Sequence, residues 1–158
     1  MKLHSLSMQN YRQFYGEHHL TFSHDIKKNV TVIHGENGSG KTTLLNAFKW
    51  CFYGNTDFDT GNANILNEQA IALASVEEDI ILKITVEFEH EDRTYSAERT
   101  QIFYKQKVDH IAQIGSENMS LWINDGSGEK RKSDSPETHL NQILPENMHP
   151  YFFFNGER

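Results

Sequence analysis

A glycine-rich segment constrains this 158-residue chain more than any other feature of its sequence. Residues 35–43 read Gly-Glu-Asn-Gly-Ser-Gly-Lys-Thr-Thr, so Gly35, Gly40, Lys41 and Thr42 fit the pattern G-x-x-x-x-G-K-[ST]. A short apolar, β-branched run at residues 29–34 precedes the segment. The pattern predicts a loop that wraps phosphate oxygens, entered from a strand buried on both faces.

The residues after this loop have the spacing of an amphipathic helix. Apolar side chains recur at positions 44, 45, 48, 51 and 52, and Gly54 stands where a helix C-cap belongs. A helix that starts at Lys41 adds the partial positive charge of its N-terminus to the loop. Lys41 would then reach the β- and γ-phosphates of a nucleotide, and the Thr42 hydroxyl would bind Mg²⁺.

The remaining residues predict a mixed α/β fold with an antiparallel insertion. Strands are expected at residues 2–9 and 18–23 with a turn near Gly16, then at 80–89, 94–103 and 119–124, with hairpin turns at Glu91–Asp92 and at Asp125-Gly-Ser-Gly. Short helices are expected at residues 67–74 and 135–144, and a final apolar strand at 149–154. The fold class is therefore a P-loop α/β domain with an inserted β-meander at about residues 79–124.

Composition and charge narrow the function classes. The net charge is −7, which disfavours a protein that coats nucleic acid non-specifically. The basic residues 130–132 could contact a DNA backbone, but we expect them to form a plain exposed loop. The single cysteine, Cys51, excludes an intramolecular disulfide and a multi-cysteine zinc site. No run of 18 apolar residues exists, so we expect no membrane span and a cytoplasmic location.

A second requirement of ordinary P-loop hydrolases is not met in the sequence. Such enzymes need a buried strand that ends in an acidic residue, which holds Mg²⁺ or polarises the attacking water. The candidates at residues 80–89, 121–125 and 151–154 are half exposed, end in a hairpin turn or precede Asn155 rather than an aspartate. Either the chain does not hydrolyse nucleotide or the rest of the site lies on other polypeptide.

Several segments resemble the SMC-like ABC ATPases, the group that includes RecF, RecN and the break-repair ATPase of the Mre complex. The opening Leu6-x-x-Gln-Asn-Tyr-Arg-x-Phe14 resembles that group's start, and residues 35–43 match its G-x-N-G-x-G-K-[ST]-[ST] loop. The helix end Cys51-Phe-Tyr-Gly54 resembles its A-L-[FY]-G ending. The closing residues 151–158, Tyr-Phe-Phe-Phe-Asn-Gly-Glu-Arg, resemble the F-F-F-D-G-E segment of DndD-type proteins of phage-defence and DNA-phosphorothioation systems; Lamassu-type defence ATPases are close to the same pattern.

The resemblance implies that residues 1–158 form the N-terminal lobe of an ATPase head, with a coiled coil and a C-terminal lobe beyond Arg158. Two heads would sandwich two ATP molecules, and the dimer would act on DNA in repair or anti-phage defence, together with a nuclease or other defence subunits, as a nucleoid-associated protein without a membrane partner. The lobe alone would bind ATP and Mg²⁺ without turnover.

Roles for single residues follow from the same resemblance. Lys41 would be the catalytic lysine, and the phosphates would be bound by Arg12, Gly35, Asn37, Gly38, Ser39, Gly40, Lys41, Thr42 and Thr43. Thr42 would bind Mg²⁺, and Asn155 would join it as the Q-loop residue, although asparagine is one methylene shorter than the family's glutamine.

Two other functions are compatible with the motif. The chain would be a non-catalytic nucleotide-binding lobe that regulates a separately encoded C-terminal lobe, or a small stand-alone P-loop kinase. The kinase needs a base-binding lid and an acidic magnesium strand, and the sequence offers neither. The nine histidines form no i, i+4 pair with an acidic partner on a predicted helix, so we expect surface or packing roles for them.

Overall fold

The computed structural model of the chain describes residues 1–54, 65–107, 110–113 and 115–153. Its framework is one antiparallel sheet in which six strands follow the order β2-β1-β3-β4-β6-β7 and β5 pairs with the far half of β4. The strands are β1 (Lys2–Tyr11), β2 (Phe14–Thr21), β3 (Asp79–His90), β4 (Arg93–Lys107), β5 (His110–Gln113), β6 (Asn118–Asn124) and β7 (Lys130–Lys132). The inserted meander therefore extends the N-terminal hairpin rather than forming a separate sheet.

The hairpin turns test the predictions from glycine and polar residues. The β3–β4 turn is at Glu91 and Asp92, as predicted, and both residues have positive φ, as a two-residue turn of this hand requires. The β1–β2 turn was predicted near Gly16, and that prediction is wrong. Tyr11 pairs with Phe14, so the chain reverses at Arg12 and Gln13. Gly16 lies inside β2, where its N–H donates to Asn10 Oδ1.

Helix α1 (Lys41–Tyr53) confirms the helix predicted after the glycine-rich loop. Gly54 caps it in the left-handed conformation at φ 69°, with its N–H donating to Trp50 O. The guanidinium of Arg99, on β4, donates to Cys51 O at 3.0 Å and to Phe52 O at 3.4 Å. Because a helix leaves its last carbonyls without intrahelical partners, this buried arginine anchors the C-terminal end of α1 to the sheet.

The shorter helices pack on the side of the sheet that α1 covers, or at the end of the sheet. They are α2 (Glu68–Leu73), α3 (Pro136–Ile143), a 3₁₀ turn (Glu146–Met148) and α4 (His149–Phe152). The first two match the predicted helices, but the predicted final strand at residues 149–154 is wrong within the described residues. Pro150 lacks the N–H that a strand ladder needs and suits a first helical turn, and Phe153 packs against Phe48 and Phe52.

The apolar run before the glycine-rich loop differs most from its prediction. Residues 29–34 form no strand, and they are exposed rather than buried on both faces. Val30 is 75% exposed and Val32 is 83% exposed. A strand forms only when a neighbour accepts its ladder of hydrogen bonds, and no strand in the described part of the chain pairs with this segment.

The sheet separates an apolar layer from a polar face. Alternate residues of β3, from Ile80 to Phe88, are buried against α1, and β4 and β6 continue this core with Ala97 and Leu121. The opposite face carries hydroxyl and charged side chains such as Thr85 and Glu87, together with partly exposed apolar ones such as Ile81 and Trp122. Residues 130–132 were predicted as a loop, but they form the edge strand β7 because the glycine turn before them folds them back on β6. In the described residues, no helix has the length and apolarity that a membrane crossing needs.

Candidate functional site

The glycine-rich loop ends in the N-terminus of α1. Gly38 has φ +81° and Gly40 has φ +102°, conformations that side-chain-bearing residues rarely adopt. Ser39 N donates to Glu36 O at 3.1 Å, which tightens the loop. Gly40 is the N-cap of α1, so the loop curls directly into the helix. This is the local geometry that the motif predicted.

Lys41 bridges the loop from the first residue of α1. Its Nζ donates to Gly35 O and to Glu36 O, at 2.8 Å each. An ammonium group has three N–H donors, so these two bonds hold the side chain across the loop and leave one donor for an anion. The position is exposed, which gives a ligand access to the charge.

The first turn of α1 favours an anion in two further ways. The N–H groups of a first helical turn have no intrahelical acceptors, and they carry the positive end of the helix dipole. The first turn of α1 contains no acidic side chain that would compete for them. Thr42 is exposed, whereas Thr43 is buried, so of these two hydroxyls the one of Thr42 is open to a ligand or metal ion.

The β1–β2 turn lies against this end of α1. A Cβ atom added at Gly40 would overlap the Gln13 side-chain amide and lie 3.3 Å from the Phe14 ring, so a side chain here would force the turn to adjust in addition to straining φ. Gln13 and Phe14 adjoin Arg12, which has φ +51°. The structure thus brings the segment with the candidate phosphate ligand Arg12 to the loop, although these residues are far apart in sequence.

The arrangement fits the phosphates of a nucleotide. The Ser39 side chain packs against Gly35 where a Cβ atom would otherwise lie, so the two sides of the loop are in close contact. Glycine-rich loops of this kind direct backbone N–H groups towards phosphate oxygens. For Mg²⁺ the described residues offer the Thr42 hydroxyl, and they contain no group of three or more His, Cys, Asp or Glu side chains that could hold a metal ion. Asn155, the predicted second magnesium ligand, lies outside the described residues.

The structure also gives the surroundings of the other residues considered in the sequence analysis. His34, directly before the loop, is exposed. Cys51 is fully buried on α1, and burial raises the pKa of its thiol from 9.0 to about 12, which makes it a poor nucleophile. The three cations of β7 are exposed, and Lys132 lies 5.6 Å from the centre of the Trp122 ring.

Two residues at the site were missed by the sequence reading. Gln13 contacts Gly40, and Asn67 hydrogen-bonds the backbone of the turn from 55 positions away in sequence. The polar turn after β1 gave no signal for Gln13. Asn67 was recognised only as the start of a short helix, and its second role depends on tertiary contacts that no local pattern carries.

Comparison with known protein families matches residues 5–158 to the family described as an AAA domain. The match covers nearly the whole chain and includes the loop, α1 and the antiparallel insertion. A search of curated proteins finds no match to the chain. This family consists of P-loop ATPase domains found in SMC-like ATPases, so ATP binding through the P-loop is the general activity of its members. On this match and on the geometry of its glycine-rich loop, the chain belongs to the AAA domain family.

Proposed function

We propose that this chain is the N-terminal ATP-binding lobe of an SMC-like ATPase that works on DNA. The observation that carries the proposal is the bridged P-loop, in which Lys41, the first residue of α1, donates from Nζ to Gly35 O and Glu36 O at 2.8 Å each. The family match supports ATP as the ligand. In this proposal Lys41 binds the β- and γ-phosphates, and residues 37–43 contribute N–H groups and hydroxyls.

Magnesium would neutralise the developing charge on the transferred phosphoryl group when it is bound with ATP. The chain's own contribution is to hold the phosphates in one place and to supply the Thr42 hydroxyl as a ligand. The carboxylate that orients the attacking water would come from the C-terminal lobe. This lobe alone therefore binds ATP without measurable turnover.

The exposed run at residues 29–34 supports a C-terminal lobe as a partner. Val30, Val32 and Ile33 expose 75%, 83% and 46% of their surfaces, an unusual cost for a β-branched run directly before a P-loop. Added strands from a C-terminal lobe would pair with this segment and cover it. Two such heads would form the ATP-sandwiched homodimer.

The finer parts of the proposal rest on the resemblance of residues 151–158 to DndD-type proteins. In these parts of the proposal the protein acts in anti-phage defence or DNA sulfur modification, with DNA repair as the related role. A coiled coil would join the two lobes, and a nuclease or other defence subunits would be partners on nucleoid DNA. Lamassu-type defence ATPases fit the same segments.

The test of the proposed function is nucleotide binding by Lys41→Ala. We expect this variant to lose ATP binding in calorimetry with Mg²⁺, at least tenfold in affinity, because it removes the only lysine of the loop. The matched control is Lys130→Ala, which removes an equally exposed lysine from β7 and should bind ATP like the unmodified protein. Unchanged affinity in Lys41→Ala, with the circular dichroism of the folded protein, would contradict the P-loop assignment.

A further inference from the structure

The turn that lies against the P-loop has an unusual backbone. Asn10 has φ +53° and Arg12 has φ +51°, on either side of the buried Tyr11. Left-handed backbone at residues other than glycine is unfavourable, and it persists where the surroundings hold it. Two such residues so close together, next to a ligand-binding loop, require an identifiable source of restraint.

The side chain of Asn10 supplies part of that restraint, since its Oδ1 accepts from Gly16 N and its Nδ2 donates to Ile81 O, at 3.0 Å each. Asn67 supplies the part that also reaches Arg12. Its backbone N–H donates to Asn10 O at 2.9 Å, and its side-chain Nδ2 donates to Arg12 O at 2.6 Å. Arg12 N donates in turn to Ile65 O at 2.8 Å. The segment around Asn67 therefore binds the backbone of both left-handed residues.

Both polar atoms of the Asn67 side chain make hydrogen bonds. Its Oδ1 accepts from Ala70 N at 2.9 Å, which makes it the N-cap of α2, while Nδ2 holds Arg12 O. Asn67 is 5% exposed, so the bond to Ala70 N is shielded from competing water and the bond to Arg12 O is partly shielded. At its other end α2 is held by the buried Lys105, whose Nζ donates to Ile71 O and Ala74 O at 2.8 Å each.

The restrained turn contacts the P-loop. Gln13 and Phe14 pack on Gly40, at the first turn of α1, so closely that a Cβ atom there would displace the Gln13 amide and press on the Phe14 ring. We propose that Asn67 is a positioning residue for ATP binding, because it holds the backbone of Asn10 and Arg12 and so fixes the Tyr11–Phe14 turn, with the Arg12 side chain, against the P-loop. This inference rests on the proposed function, since it concerns the same nucleotide site.

The simplest alternative is that Asn67 only caps α2, and two variants separate the two roles. Asn67→Asp keeps an oxygen that accepts from Ala70 N, but it places a second carboxylate oxygen against Arg12 O, where two acceptors repel each other. Asn67→Ser also keeps an N-cap oxygen, and its shorter side chain cannot reach Arg12 O. A pure capping role predicts ATP binding like that of the unmodified protein in both variants.

The experiment measures ATP affinity by calorimetry with Mg²⁺, together with thermal unfolding of each variant of the intact protein. We expect Asn67→Asp and Asn67→Ser to bind ATP several-fold more weakly, on the order of three- to tenfold, the size of one buried hydrogen bond. Folded variants with unchanged affinity would overturn the proposal.

A double-mutant cycle with Arg12→Ala shows whether Asn67 acts through the turn. If it does, Asn67→Asp adds less than twofold to the loss already caused by Arg12→Ala, because the side chain being positioned is gone. Full additivity of the two losses would overturn the proposal even though each single variant binds ATP weakly.

A measurement without any substitution covers the case in which the variants fail to fold. In the unmodified protein, we expect ATP to slow hydrogen exchange in residues 10–13 and 65–67 together with the P-loop. ATP-dependent protection of the P-loop alone would overturn the role of Asn67. Lys41→Ala distinguishes the two levels: if it binds ATP normally the proposed function fails, whereas loss in Lys41→Ala with normal binding in both Asn67 variants refutes only this inference.

Discussion

At the scale of single residues, Gly40 has two separate reasons to be glycine. Its φ of +102° disfavours any side chain, and a Cβ atom would press on the side chains of Gln13 and Phe14. We predict that Gly40→Ala lowers ATP affinity tenfold or more, because either the P-loop or the turn must move, a loss that corresponds to about 1.4 kcal/mol or more.

The control for Gly40 is Gly128, in the β6–β7 turn. It has a similar φ of +93°, but nothing lies within 4 Å of its Cβ position. Gly128→Ala therefore carries the backbone strain without the collision, and it should leave ATP affinity within twofold. Equal affinities for the two variants in calorimetry would show that the contact with the turn is unimportant for binding.

Burial of Cys51 makes a prediction about alkaline pH. Its pKa rises from 9.0 to about 12 because the thiolate would lose its hydration, although Arg99 partly offsets this. Well below pH 9 the thiol is protonated in both folded and unfolded chains and contributes no pH dependence. Above pH 9 only the unfolded chain releases the proton, so stability falls with a limiting slope of about 1.4 kcal/mol per pH unit.

The measurement is the urea midpoint as a function of pH, compared with Cys51→Ala. The decline between pH 9 and 10 should be shallower in the variant but not absent, because Tyr11 and Tyr53, whose pKa values burial raises above 10.0, begin to contribute in both proteins. Parallel pH profiles for the two proteins would mean that the thiol is not desolvated in the folded state. The slope is compared rather than the absolute stability, because alanine also removes contacts of the sulfur.

At the scale of elements, the anchor at the end of α1 decides how firmly the P-loop helix is held. The side chain of Arg99 is 5% exposed, it donates to two terminal carbonyls, and it pairs with Glu117 at 3.2 Å. We predict that Arg99→Leu lowers the free energy of unfolding by about 3 kcal/mol, because it leaves buried carbonyls and a carboxylate without their partner.

Urea unfolding of Arg99→Leu and of Glu137→Gln tests this anchor. Glu137 also lies near Arg99, at 3.7 Å, but its side chain is 71% exposed. Its substitution should change stability by less than about 0.5 kcal/mol, because exposed ion pairs contribute little. A loss of similar size in both variants would mean that the ion pair between Arg99 and Glu137 stabilises the fold, rather than the hydrogen bonds from Arg99 to the end of α1.

The elements that the sequence predicted correctly are those with their own local signals. The spacing of apolar residues and Gly54 define α1, alternation defines β3 and β4, and Glu91–Asp92 define the turn between them. The predicted position of the β1–β2 turn was wrong. The backbone of the observed turn is held by Asn67, a contact that no local pattern encodes. The prediction of a final strand was wrong because an apolar run does not distinguish strand from helix, and Pro150 favours a helical turn.

The candidate site divides in the same way. Its loop, its lysine and its helix were predictable, since the geometry of phosphate binding fixes residue types at a fixed spacing. Gln13 and the second role of Asn67 were not, because both depend on how distant segments meet. The predicted roles of Arg12 and Asn155 stay predictions.

At the scale of the whole molecule, the proposed C-terminal lobe would cover the exposed run before the P-loop. The run has the composition of a buried strand, yet Val32 is 83% exposed in this chain. We predict that Val32→Glu lowers the free energy of unfolding of the intact protein by about 2–3 kcal/mol, although exposed positions usually tolerate such changes within about 0.5 kcal/mol. The reason is that a C-terminal lobe would bury this side chain in a sheet.

Ile26→Glu is the matched control for the whole-molecule prediction. Ile26 is 88% exposed and adjoins the run without belonging to it, in the turn closed by Asp25 and Lys28. Its substitution should leave the urea midpoint of the intact protein unchanged, while Val32→Glu lowers it. If both substitutions are neutral, residues 29–34 are not covered in the intact protein, and the P-loop must complete its site by contacts that leave this run in water.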